Sequence, residues 1–132
     1  MDQGPLVTEQ IDAGAKLAGD FDSQYKPLSA AFWLKESEEG RWILYLVSDQ
    51  IDDSNFDQAY GEVIRLLGRG PHMWLDPFQV KVSGVDDRTA KIVLEIQQKN
   101  ASRLATRVRE RMIGGLSVDE IYIYPIPMHS PK

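Results

Sequence analysis

Four arginines lie in one short segment near the end of the 132-residue chain. Arg103, Arg107 and Arg111 recur every four residues, and Arg109 lies between the last two. On a helix the first three share a stripe, whereas on a strand all four share one face. Grouped guanidinium groups suit bidentate contacts with phosphate or carboxylate. The row indicates an anion or RNA site, a subunit interface, or a solvated face balanced by acids, and the last is typical of charge runs.

A second group of polar and aromatic side chains comes from the segment that holds Arg69, His72, Trp74 and Asp76. His72 and Asp76 are the types needed for a general base and its orienting partner, and nearby glycines would let the loop wrap a ligand. No serine or cysteine lies near them in sequence as a nucleophile. We therefore predict that Met73 and Trp74 pack this loop onto the core, with ligand binding or catalysis as alternatives.

Aspartates cluster at Asp49, Asp52, Asp53 and Asp57. Carboxylates bind hard cations, but the central glycine and closing glutamate of a calcium loop are not in register. We interpret Asp52, Asp53 and Ser54 as a turn that caps a helix. The two histidines also lack the spacing of a metal site, so no metal is predicted.

Tyrosines mark the last apolar run of the chain. Tyr122 and Tyr124 share one strand face, which favours either a protein interface or buried rings whose hydroxyls reach polar partners. The glycines at 68–71 lack the lysine and the spacing of a nucleotide-binding loop. We therefore predict no cofactor.

Composition limits the classes of protein to consider. The apolar fraction of 42% and the charged fraction of 27% are those of a globular protein, and 132 residues form one domain, with 1–4 and 127–132 expected to be flexible. Cysteine is absent and the net charge is −5. An acidic chain is poorly suited to nucleic acids. Without a signal-like leader or a membrane-length apolar run, we expect a soluble, cytoplasmic protein.

The residues from 28 to 53 predict the element that positions the rest. Two apolar runs, each with one tryptophan, flank a charged turn that ends at Gly40, which is typical of a β-hairpin. Both faces of both strands are apolar and need covering. Helices can cover one face, and the other needs the remaining segments or a second subunit. This is our reason to consider a homo-oligomer.

Periodicity places the other elements around this hairpin. Helices are predicted over 5–18, 54–68 and 88–99, and strands over 78–82 and 121–124. The segment 104–113 fits a helix or a strand, because a spacing of four suits both. The order α-β-β-α-β-α-β-β indicates an α+β fold with a mostly antiparallel sheet of about four to five strands and about three helices.

Three pieces of sequence also carry a resemblance. They are AAFWLKESEEGRWILYLVSDQID, the pair Ala59–Tyr60, and IGGLSVDEIYIYPI. Together they resemble a set of short bacterial proteins of unknown function that share an "ALWLY…EWRLV…SPLVD…AY" block and a closing "GVYIEDAYIYRI". The resemblance implies that 104–113 is a strand pairing with 118–125, and it implies no activity. Pro125 stands where that set often has a basic residue.

These observations favour a non-catalytic protein-interaction or regulatory module, either a homo-oligomer or the binder of another protein. The first alternative is anion or RNA binding through the arginine row, and the second is a small enzyme that uses His72. The residue types do not favour an enzyme, and no membrane association is expected.

Overall fold

A five-stranded sheet organises the chain in the computed structural model, which describes residues 4–38, 40–68, 74–99, 105–113 and 115–125. The elements in chain order are α1 (Thr8–Gln24), β1 (Ala30–Glu36), β2 (Trp42–Val47), α2 (Phe56–Leu67), a 3₁₀ turn (Pro77–Gln79), β3 (Val80–Ser83), α3 (Arg88–Lys99), β4 (Thr106–Ile113) and β5 (Leu116–Ile123). The ends at 1–3 and 126–132 lie outside the described residues. No described helix has the length and apolar character that a bilayer crossing requires.

The strands lie in the order β3-β2-β1-β5-β4. All neighbours are antiparallel except β2 and β3, which the helix α2 connects as a parallel pair. The predicted α+β class, the element order and the mostly antiparallel sheet are confirmed. The segment 104–113 supplies the strand β4, which pairs with β5 through a turn in which Gly115 has a φ of +83°. A positive φ favours glycine there.

Helices cover both faces of the central hairpin. Trp33 and Trp42 pack on the side that α1 and α2 cover, whereas Phe32 and Tyr45 pack on the side that α3 covers. The second face was expected to be covered either by a later segment of the chain or by a second subunit. The helix α3, a later segment of the same chain, covers it. The hairpin no longer gives a reason to expect a second subunit.

The first helix is longer than the predicted 5–18 and begins later. Its buried residues are Gly14, Leu17, Ala18 and Phe21, which recur at helical spacing. Because this stripe continues to Phe21, Gly19 does not end the helix. The N–H of Tyr25 donates to the Phe21 carbonyl at 3.0 Å and closes the last turn.

The second helix begins at Phe56, with Asn55 and not Ser54 as its N-cap. Ser54 donates its N–H and hydroxyl to the Asp52 carboxylate, so the predicted capping turn exists but precedes the helix by one residue. Gly68 has a φ of −73°, which is right-handed and not the left-handed conformation that a C′ glycine usually adopts.

The segments around β3 also refine the predictions. Phe78 was assigned to a strand, but it lies in the 3₁₀ turn with 83% of its surface exposed. The turn forms because the Asp76 carboxylate accepts from the Phe78 N–H at 2.8 Å. The predicted helix 88–99 is confirmed, and Asp87 caps it by accepting from the Ala90 N–H at 3.0 Å.

Candidate functional site: an apolar groove between the N-terminal segment and α2

A chain of hydrogen bonds joins α1 to the sheet. The Trp33 indole donates to the Tyr124 hydroxyl at 2.9 Å, and that hydroxyl donates to the Ile11 carbonyl at 2.6 Å. Burial raises the pKa of Tyr124 well above the ordinary tyrosine range. Tyr124, one of our predicted binding residues, is thus a buried tyrosine with polar partners.

Three members of the arginine row, Arg107, Arg109 and Arg111, lie on β4, at the edge of the sheet. Arg107 and Arg109 both pair with Glu120, at 3.0 and 3.3 Å. The Arg107 guanidinium also lies 5.1 Å from the centre of the half-buried Tyr122 ring. One carboxylate therefore offsets two cations on this face. Arg111 lies opposite Val118, although its side chain, like all of Arg103, is outside the described residues.

The loop predicted to carry His72 is described only from Trp74 onward, so Arg69, His72 and Met73 lie outside the described residues. Asp76 caps the 3₁₀ turn and is exposed. Trp74 is 44% exposed, so the prediction that it packs onto the core is wrong. Its neighbour Leu75 is buried in its place.

Trp74 lies at a groove of about 950 Å³ between the N-terminal segment, the end of α2 and the 3₁₀ turn. Its apolar walls are Pro5, Val7, Ile64, Leu67, Trp74 and Pro77. The polar groups that line it include Gln10, Asp76 and Gln79. The structure thus brings Trp74 together with Val7 and Ile64, neither of which the sequence marked as a site residue.

Buried anchors hold the walls of this groove in place. The Gly4 carbonyl accepts from the Trp42 indole at 2.9 Å and from the Lys35 ammonium at 3.2 Å, which fixes Gly4 at the start of this wall. The other residues of the segment 1–4, which was expected to be flexible, lie outside the described residues. The Tyr60 hydroxyl donates to the Pro77 carbonyl at 2.6 Å and ties α2 to the 3₁₀ turn. The groove is therefore pre-formed by the fold.

Exposed apolar side chains concentrate at this groove. The described residues expose six large ones, namely Val7, Phe56, Ile64, Trp74, Phe78 and Met112. Val7, Ile64 and Trp74, which are 37%, 50% and 44% exposed, all line the groove. By helical spacing alone Ile64 would belong to the buried stripe of α2, but that stripe consists of Ala59, Val63, Leu66 and Leu67.

The polar groups of the groove are engaged in local structure. Gln10 accepts from the Val7 N–H at 3.2 Å, and Gln79 accepts from the Asp76 N–H at 3.1 Å. Within the described ranges, no group of three histidine, cysteine or acidic side chains is placed to hold a metal ion. The described lining therefore offers apolar contact and carries no nucleophile–base pair.

Comparison with protein-family models, with curated proteins and with solved structures gives no match. The resemblance to short bacterial proteins stays a prediction.

Proposed function

We propose that this protein is a non-catalytic interaction module that binds an apolar segment of a partner protein in the groove. One observation carries the proposal: Val7, Ile64 and Trp74 expose apolar surface around a single concavity. Tryptophan is among the residues that contribute most to protein interfaces, and pockets with apolar walls supply most of the binding free energy by excluding water.

Charge favours a partner that differs from this chain. The net charge of −5 would set like charges against each other in a homodimer, whereas a partner with lysines or arginines would be attracted. The alternative occupant of the groove is a second copy of this chain, which would form a homodimer. The absence of cysteine supports a reducing compartment, so we place the protein in the cytoplasm.

Selection from a displayed library of twelve-residue peptides tests this function. We expect the selected peptides to carry clustered apolar residues, and Ile64→Asp to weaken their binding at least about tenfold because it puts a charge in the groove. Ile64 is half exposed, so the core stays intact in this variant. Met112→Asp is the matched control, because Met112 is exposed on β4 and does not line the groove.

Two results would contradict the proposal. One is a set of peptides whose binding Ile64→Asp and Met112→Asp weaken equally. The other is self-association in light scattering that Ile64→Asp abolishes, which would assign the groove to a second copy of the chain.

A further inference from the structure

A second, acidic pocket of about 440 Å³ lies where β3 ends and where α2 and α3 begin. It is at the carboxyl end of β3, the strand that pairs in parallel with β2. Four aspartates line the pocket, Asp52, Asp53, Asp86 and Asp87, together with one lysine, Lys81. Its lining thus carries a formal charge of −3.

Local hydrogen bonds in a turn and a helix cap account for only two of the four aspartates. Asp52 accepts from the Ser54 N–H at 2.9 Å, and Asp87 accepts from the Ala90 N–H at 3.0 Å. Asp53 and Asp86 are exposed and make no such cap within the described structure. Lys81 lies 3.9 Å from Asp87 and is the one basic side chain among the lining residues.

A buried hydroxyl in the same pocket has no partner. Ser83 is only 7% exposed, lines the pocket and lies on the same face of β3 as Lys81, and its Oγ makes no hydrogen bond. An unsatisfied buried hydroxyl is unfavourable and is commonly satisfied by a ligand or water. Ser83 is therefore an observation, separate from the charge, that points to an occupant with a hydrogen-bonding group.

The ligand class follows from the remaining lining. Metal ions are disfavoured, because the described acids include no group of three placed to hold one. The exposed ring of Phe56 also lines the pocket, and aromatic rings attract organic cations. Carboxylates, a hydroxyl and an aromatic ring together suit an ammonium or guanidinium group.

We infer that this pocket takes the basic end of a lysine or arginine side chain of the partner, an inference that rests on the proposed function. Phe56 in the pocket and Ile64 in the groove lie eight residues apart on α2, about 12 Å along its axis. One extended segment of about four residues spans that distance. The partner thus places a basic residue about four positions from its apolar anchor.

Nuclear magnetic resonance titration with small probes tests the pocket without the groove. The probes are N-acetyl-lysine amide and N-acetyl-arginine amide, and the uncharged control is N-acetyl-norleucine amide. We expect saturable shifts of the backbone amides at 51–53 and 81–87 with the two basic probes only. Asp53→Asn/Asp86→Asn should raise their dissociation constants about fivefold, as expected for the loss of two exposed charge pairs.

Asp57→Asn/Glu95→Gln is the matched control, since both acids are exposed, neither lines the pocket, and the change in charge is the same. The inference is overturned if norleucine produces the same shifts, if both double variants weaken binding equally, or if magnesium or calcium ions alone saturate these amides. If the basic probes do not bind the pocket while apolar peptides still bind the groove, this inference is wrong and the proposed function of the groove is unaffected.

Discussion

The indole nitrogen of Trp33 and the hydroxyl of Tyr124 lie 2.9 Å apart in the core, 91 positions apart in the chain. Trp33 belongs to β1 and Tyr124 directly follows β5, and the same hydroxyl donates to Ile11 in α1. This contact therefore couples three elements that are distant in sequence, and it holds α1 close to the sheet.

Tyr124→Phe should lower the free energy of unfolding by about 1–3 kcal/mol, because it leaves the buried Trp33 N–H without an acceptor. Urea denaturation measures the loss. Tyr122→Phe is the control: that ring is half-buried, and its hydroxyl makes no hydrogen bond in the described structure. Equal stabilities of the two variants would contradict this role for Tyr124.

Gly14→Ala should destabilise the protein although alanine favours helices. An added Cβ would lie 2.4 Å from the Tyr124 hydroxyl and 2.8 Å from the Trp33 indole nitrogen. We expect a loss of about 1–3 kcal/mol from this overpacking. At Gly61 in α2 an added Cβ would enter open space, so Gly61→Ala should raise the free energy of unfolding by about 0.5–1 kcal/mol. Thermal unfolding of both variants provides the test, and a gain at both positions would show that α1 is not close-packed.

Stability should fall above pH 10. Burial raises the pKa of Tyr124 and of Tyr45 above the ordinary value of 10.0, and Asp87 further raises that of Tyr45. Above pH 10 the unfolded chain loses these protons while the folded chain keeps them. Each tyrosine therefore lowers the free energy of unfolding by up to about 1.4 kcal/mol per pH unit. Denaturation between pH 9 and 11 should show a shallower decline for Tyr124→Phe. Identical slopes would contradict the assigned burial.

The arginine row should bind RNA weakly at most, because Glu120 pairs with both Arg107 and Arg109. Glu120→Gln should change stability by about 1 kcal/mol or less, but it should increase RNA retention at low salt. Filter binding across a salt series measures this, with Glu95→Gln as the charge-matched control. The RNA alternative would be favoured if the native chain bound RNA tightly and in a salt-dependent way, and if replacing both Arg107 and Arg109 by alanine abolished that binding.

Local signals predicted much of the fold. The sequence offers Asp86 or Asp87 as a cap for the helix predicted over 88–99, and Asp87 is the residue that caps α3. The two tryptophans mark the hairpin strands. The end of α1 was missed because Gly19 is a common stop signal, while Phe21 beyond it supplies buried surface that continues the helix. The parallel pairing of β2 with β3 depends on contacts that no local pattern encodes.

The candidate site was harder to predict than the fold. Trp74 was singled out by its type, but its partners Val7 and Ile64 come from segments 57 positions apart that only tertiary packing brings together. Ile64 fits the helical apolar stripe by spacing, and only the position of α2 on the sheet decides that it faces outward. No sequence pattern marks Ser83, because what makes it notable is a buried hydroxyl without a hydrogen-bond partner, which only the folded structure shows.

Fluorescence quenching of Trp74 tests the central claim most directly. Trp33 and Trp42 are almost fully buried, so acrylamide quenching of the native protein reports mainly on Trp74. With a saturating selected peptide, we predict a lower quenching constant and a blue-shifted emission, and both changes should disappear in Ile64→Asp. A peptide that binds tightly while Trp74 stays as accessible as before would contradict the assignment of the groove as the binding site.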